Sequence, residues 1–212
     1  EKAALRHLRE AICARFIEKP WRGVTMETPR RAEAGDDYRG VVDDWHARIA
    51  ASYAALFRLE LAEGQTGALL VWGDPALYDS TLRIVERVRA GGLALDWEVI
   101  PGISSVQALA ARHRIPLNRI GEPVLITTGR KLAEGLPQAP DGVVVMLDGE
   151  QAFAKIAPEG LEIFWGAYLG TPDEILIAGP LAAVSDEIVR IRAAARERHG
   201  WIMDIYLLRR CD

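Results

Sequence analysis

Cysteine and histidine are scarce in this chain of 212 residues, and the commonest catalytic signatures are missing. Two cysteines, Cys13 and Cys211, lie near opposite ends with no metal-like spacing, which excludes a disulfide framework and makes a reduced, cytoplasmic setting the expectation. The histidines, His7, His46, His113 and His199, show none of the HxH, HxxxH or HExxH spacings, so no metal site is expected. There is no GxSxG elbow, no GxxxxGK[ST] loop and no GxGxxG fingerprint, and the serine-hydrolase, P-loop and Rossmann dinucleotide readings lose their main support. No apolar run approaches the roughly 18 residues of a membrane span, and no signal peptide pattern opens the chain. Nor is there an excess of positive charge. The formal net charge of -4 argues against a nucleic-acid or membrane-surface partner.

Apolar residues make up 50% of the chain, enough for a sizeable core. The sequence is organised around residues 67 to 79. Ala68 to Trp72 is a short, continuously apolar run that reads as a strand buried on both faces, and it stops at Gly73-Asp74-Pro75, a turn set directly before a helical pattern. A second copy follows: 94 to 100 reads as a strand, Pro101-Gly102-Ile103-Ser104-Ser105 as its terminal loop, and 106 to 112 as a helix. In an α/β sheet such loops lie beyond the carboxyl ends of the strands, where backbone amides and helix N-termini meet ligands. Taken alone, Gly73-Asp74-Pro75 is equally a plain type I turn with a capping Asp, and Ser104 or Ser105 an ordinary N-cap.

In chain order, Leu5, Leu8, Ile12 and Phe16 predict a helix over 3 to 17, ended by Pro20. Residues 24 to 27 form a short strand and 29 to 37 a polar loop. Asp36 or Asp37 then caps a helix through Ala62 with Val41, Trp45, Ile49, Tyr53, Leu56 and Leu59 as its buried stripe and Gly64 as its stop. A helix over 79 to 90 joins the two copies. The stretch 115 to 123 carries two prolines and a glycine with little periodicity and marks a domain boundary. Beyond it the pattern gives strands at 123 to 128, 142 to 147, 162 to 169, 174 to 178 and 201 to 208, and helices at 150 to 157 and 182 to 198. The expected architecture is therefore α/β with two domains. Residues 1–114 form an N-terminal half with a parallel sheet, and residues 122–212 a mixed-sheet α+β C-terminal half. Trp165, Tyr168, Trp201 and Tyr206 are more aromatic than a solvated edge needs, which suggests that some lie at a subunit interface, although a buried core is the commoner home for such residues.

The two loops, taken with Trp72-Gly-Asp-Pro-Ala-Leu-Tyr78, Val99-Ile-Pro-Gly-Ile-Ser-Ser105, Val144-Val-Met-Leu-Asp-Gly149 and Ile177-Ala-Gly-Pro-Leu181, resemble the tetrapyrrole methylase family. These are two-domain, S-adenosylmethionine (SAM)-dependent methyltransferases. Asp44-Trp-His46, Thr127-Thr-Gly-Arg130, Trp165-Gly-Ala-Tyr-Leu-Gly170 and the tail from His199 to Arg210 are most similar to the branch that methylates C1 of precorrin-5 with loss of acetate. The likeness covers nearly the whole chain.

The resemblance implies a SAM cleft between the two domains, with S-adenosylhomocysteine as product. It assigns that cleft to Trp72, Gly73, Asp74, Leu77, Ser104, Ser105, Leu147, Asp148, Gly179 and Pro180. It also implies a homodimer, no nucleic-acid or membrane partner, and a precorrin substrate whose carboxylates suit Arg30, Arg31, Arg130 and Lys131, each equally readable as a solvated surface charge. Methyl transfer needs alignment rather than a catalytic triad. Acetate loss needs a base, and Asp44 and His46, flanking Trp45 on one helix, carry suitable groups, although ordinary helix-surface polarity explains them as well. Family members begin with a strand and a Gly-x-Gly-x-Gly-type loop; the expectation is that these precede Glu1 in the full protein. Two other readings stay open: a methylase of another tetrapyrrole, and a non-catalytic methylase-like binding domain.

Overall fold

An aromatic or aliphatic side chain at every fourth position, Trp45, Ile49, Tyr53 and Phe57, gives the long helix of the N-terminal half one face to bury. The computed structural model describes residues 3–32, 37–138 and 141–211. The chain divides into two units, Glu1–Gly102 and Ile103–Asp212.

The first unit carries helices α1 (Ala3–Phe16), α2 (Tyr38–Glu60) and α3 (Thr81–Ala90). Asp37 caps α2 by accepting the Gly40 N–H at 2.8 Å, while Asp36 lies outside the described residues. Ile49 and Ala50 of α2 pack on Ile84 and Val88 of α3, with Trp45, Tyr53 and Phe57 around them. The stripe continues through Phe57 and not, as expected, through Leu59, which is 79% exposed, because a four-residue step from Tyr53 lands on position 57. In α1 the expected buried residues Ile12 and Phe16 are exposed, and Cys13 is the buried one.

No strand occurs among the described residues of this unit, so the parallel sheet expected there, with strands at 24 to 27, 68 to 72 and 94 to 100, is not formed. Leu70 is exposed rather than buried on both faces, and Met26, Leu93 and Leu95 pack as irregular chain against the α2–α3 core. Short apolar runs mark chain that seeks cover. Only a hydrogen-bonded neighbour turns such a run into a strand, and among the described residues these three pair with no strand.

The second unit is α/β with a mixed sheet. Helix α4 (Ser105–His113) leads to β1 (Val124–Thr128), the short turn α5 (Gly129–Leu132), β2 (Gly142–Met146) and a single 3₁₀ turn at Ala152–Lys155. Then come β3 (Leu161–Ala167), β4 (Ile175–Pro180), α6 (Leu181–His199) and β5 (Asp204–Arg210). The sheet order is β1-β2-β5-β3-β4. Strands β1 and β2 are parallel, and β5 runs antiparallel between β2 and β3. The division at Gly102 leaves α4, grouped by the sequence with the N-terminal half, in the second unit, where it packs on β3, β4 and β5. The 150 to 157 segment is a 3₁₀ turn rather than a full helix.

Alternation decides the two faces of the sheet. Val143, Val145, Ile163, Trp165, Tyr206 and Leu208 point to one side, where Leu181, Ile188 and Ala195 of α6 cover them. On the other side a Cβ at Gly166 would press on Leu109 of α4 at 2.9 Å, so glycine lets the helix approach. Trp165, Tyr168 and Tyr206 are core residues of this unit, so the interface expected of them is not formed by those side chains; Trp201 packs, half-buried, against the same core. Tyr168 donates to the Trp201 carbonyl at 2.5 Å.

Arg192 lies on the buried stripe of α6 with Ile188 and Ala195, only 5% exposed. Its charge is tolerated there because Asp204, at the start of β5, accepts from Nε at 2.8 Å and from Nη2 at 3.3 Å, and Trp165 Nε1 donates to the same carboxylate at 3.1 Å. Removing one partner leaves a buried charge unmatched. Asp204→Ala is expected to lower unfolding stability in urea by about 3 to 5 kcal/mol; a loss below about 1 kcal/mol would show that water reaches the pair.

Candidate functional site

Gly73 opens the first site loop with φ +69, a left-handed turn that suits glycine, and the chain folds back so that Asp74 reaches two backbone donors. Its Oδ1 accepts the Ala76 N–H at 2.8 Å and its Oδ2 the Gly102 N–H at 2.8 Å. One carboxylate thus staples the Gly-Asp-Pro turn to the Pro101-Gly102 turn, and those two hydrogen bonds, Gly102's first, hold its carboxyl below the usual carboxylate range. A Cβ at Gly102 would collide with the Gly73 carbonyl, so the second loop needs glycine at its crossing. Trp72 and Leu77 flank the loop half-buried, and Arg9 of α1 stacks over the Trp72 ring at 5.0 Å.

The far end of this loop meets α2. Asp79 accepts the Thr81 N–H at 2.6 Å, and His46 Nε2 lies 2.9 Å from Ser80 Oγ. His46 is buried; burial first, then the nearby Arg87 and Arg83, pushes its pKa below the ordinary value, with Asp43 opposing. Asp43 pairs with Arg87, whereas Asp44 is exposed on α2. Trp45 stacks beside His46, donates from Nε1 to the Pro29 carbonyl at 2.6 Å, and lies under the Arg31 guanidinium at 5.8 Å. Arg30 is exposed in the same stretch. Within the first unit, then, a chain of contacts runs from Arg31 through Trp45 and the buried His46 to Ser80 at the end of the Asp74 loop.

In the second unit the parallel pair β1 and β2 ends in adjacent loops. After β2, Leu147 takes a left-handed conformation, φ +55, and is 67% exposed, while Asp148 turns inward and is buried. Asp148 Oδ2 accepts from Tyr206 Oη at 2.6 Å and from the Ala152 N–H at 2.7 Å; Arg192 Nη2 donates to the Asp148 carbonyl at 3.0 Å. After β1 come Arg130 and Lys131, both exposed, with Lys131 held by Glu134 at 3.0 Å. Gly179, at φ +153, and Pro180 close the edge strand β4 directly into α6. Ser104 caps α4: its Oγ accepts the Val106 N–H at 3.2 Å, and Gln107 Oε1 accepts the Ser104 N–H at 3.0 Å, forming a capping box. Ser105 is the first residue of that helix. Among the described residues no three His, Cys, Asp or Glu side chains are grouped to hold a metal ion, and no helix is long and apolar enough to cross a membrane.

The family model for tetrapyrrole (corrin/porphyrin) methylases matches residues 1–185. This chain belongs to that family. The methylase is 58% identical over 212 residues to precorrin-6A synthase [deacetylating] from a Sinorhizobium species, spanning 99% of this chain and 81% of the relative. It is 25% identical over 179 residues, 76% of this chain and 68% of the relative, to precorrin-4 C(11)-methyltransferase of Rhodococcus erythropolis. The crystal structure of a cobalamin synthesis related protein (CobF) from Corynebacterium diphtheriae superposes with a TM-score of 0.84 at 40% identity, covering 100% of this chain and 85% of that one.

Sequence reasoning on this methylase passed over Ser80, Gly102, Arg192 and Tyr206 as site partners. Arg192 carried a signal, an arginine where the α6 stripe calls for an apolar residue, and Gly102 stands within the loop over 101 to 105. Tyr206 reads in the sequence as an interface aromatic.

His46 gives a pH dependence with a definite sign. A histidine whose folded pKa is depressed contributes stability above its unfolded pKa, near 6.5, and that contribution is lost as pH falls toward the folded value. The melting temperature is therefore expected to drop on acidification from about pH 7 to pH 5, and His46→Gln is expected to flatten that slope. An unchanged slope would place the imidazole in contact with bulk water.

Proposed function

We propose that this methylase is a SAM-dependent C-methyltransferase of corrin-ring synthesis that methylates C1 of precorrin-5 with release of acetate to give precorrin-6A. The observation that carries the reading is the 58% identity to a deacetylating precorrin-6A synthase along essentially the entire chain. The family uses SAM, and we assign its binding to Trp72, Gly73, Asp74, Leu77, Ser104, Ser105, Leu147, Asp148, Gly179 and Pro180. Their chemistry fits a zwitterionic nucleoside: loops that present backbone amides, and an exposed apolar Leu147 beside a strand end. Bound SAM supplies a methyl group on an activated sulfonium, so the protein's task is to align the reactants and keep water out.

Acetate loss asks more of the chain. Water adds to the acetyl carbonyl at C1, its proton must be taken up, and the carbon-carbon bond then breaks with its electron pair left on the ring. We assign the proton to the Asp44–His46 edge of α2. A depressed pKa keeps the His46 imidazole neutral near pH 7 and able to accept it. Arg30, Arg31, Arg130 and Lys131 are proposed to pair with the substrate's carboxylates; Arg31 is the best supported, since its stack on Trp45 sets it beside His46. We further place the enzyme in the cytoplasm, consistent with its free cysteines, and expect a homodimer, which light scattering at micromolar concentration tests.

The decisive assay supplies precorrin-5 and SAM and measures acetate and methylated product together, with equimolar release expected. Methylation without acetate would turn the reading to another tetrapyrrole methylase, and the absence of calorimetric SAM binding to a non-catalytic domain. His46→Gln and Asp44→Asn, made separately, are expected to slow acetate release while SAM affinity holds; parent rates in both would remove α2 from the chemistry. Asp74→Asn replaces one of two acceptor oxygens with a donor facing a backbone N–H, and SAM affinity is expected to fall about tenfold. Unchanged affinity would reduce Asp74 to a turn former.

A further inference from the structure

The Asp148 carboxylate is built into the second unit in a way that methyl transfer alone does not require. Its Oδ2 takes the Tyr206 hydroxyl and the Ala152 N–H, as above. Its Oδ1 is buried with no hydrogen-bond partner among the described residues. The carboxylate lies against Gly129, where any Cβ would overlap it. Such an arrangement is poor value for stability, because a buried anion with one oxygen unmatched is better replaced by an apolar side chain. What it secures is geometry. Asp148 directly follows Leu147, whose left-handed backbone a β-carbon disfavours, and Gly129 directly precedes Arg130 and Lys131.

We propose that Asp148 is a positioning residue: its carboxylate, fixed by the Tyr206 hydroxyl and wedged against Gly129, holds the Leu147 backbone and the Gly129–Lys131 turn in one register, so that cofactor affinity depends on a phenol buried in the sheet. The inference rests on the assignment of Leu147 and Asp148 to SAM binding. The phenol suits the role. Burial, and then the neighbouring carboxylate, push its pKa far upward, so it remains a donor wherever the protein is folded. Arg192 adds a second anchor by holding the Asp148 carbonyl.

Two variants test it from opposite sides. Tyr206→Phe removes only the hydroxyl, and Gly129→Ala pushes on the carboxylate from across the wedge. Each is expected to raise the SAM Kd and the KM for SAM about tenfold while kcat at saturating SAM stays within about twofold. Tyr168→Phe is the control: it removes another phenolic hydrogen bond of the same core, to the Trp201 carbonyl. It is expected to melt lower, like Tyr206→Phe, yet bind SAM as the parent does. Parent-like SAM binding by Tyr206→Phe would overturn the proposal. So would an equal loss of affinity in Tyr168→Phe, which would trace the effect to general loosening. A parent chain that binds no SAM defeats the cofactor assignment itself, and is distinguished from both because it involves no variant.

Discussion

A guanidinium buried against a β-sheet must be answered by a carboxylate, and the second unit is arranged around that demand. Arg192 sits on the inner face of α6, so Asp204 must stand where β5 begins, and the Asp148 carbonyl must turn back toward the helix to take an Nη2 N–H. The helix, the central strand and the β2 loop are thereby locked together. Side-chain packing alone slides more freely than a forked, charge-assisted hydrogen bond, which fixes both distance and direction. The apolar layer of Ile163, Trp165, Tyr206 and Leu208 supplies most of the favourable burial, and the polar pair selects one arrangement of it.

Carboxylates also organise the first unit, though without a buried partner charge. Asp74 takes two backbone N–H groups, and Asp37 and Asp79 each take one at the start of a helix. The two hydrogen bonds to Asp74 hold its carboxyl below the usual carboxylate range, which leaves it poorly placed to shuttle protons. This division of labour matters for the chemistry. With Asp74 committed to backbone geometry, the base proposed for acetate loss is sought elsewhere, and His46 suits it because its surroundings lower its pKa and leave the imidazole neutral near pH 7.

Legibility in the sequence followed the strength of alternation. In the second unit every strand lies within about three residues of its expected place, because period-two patterns such as Leu161, Ile163 and Trp165 leave little freedom in what faces the core. The first unit carries equally apolar runs, at 68 to 72 and 94 to 100, yet they are unpaired chain there. A run of that kind states only that cover is wanted, and the cover is supplied by residues distant in sequence. The α2 stripe erred for a smaller reason: Leu59 is apolar and near the helix end, but the four-residue step from Tyr53 lands on Phe57 instead. Of the site, Asp74 and the Ser104 cap were legible because turn and capping chemistry is local. The partners of His46 and Asp148 lie 34 and 58 residues away and leave no local trace.

The division between local and distant signals bears on how a methylase of this kind acquires a second reaction. Alignment of a methyl donor rests on backbone amides and turns, and these are the features that short motifs record. For acetate loss the base proposed is His46, whose basicity is set by its burial and by Arg87 and Arg83 of α3, with Asp43 opposing. Changing either arginine shifts that basicity and leaves the Gly-Asp-Pro loop unaltered. On the proposed assignment of His46, the residues that separate a deacetylating enzyme from a simple methylase are to be sought in the α2–α3 packing more than in the loop motifs that define the family.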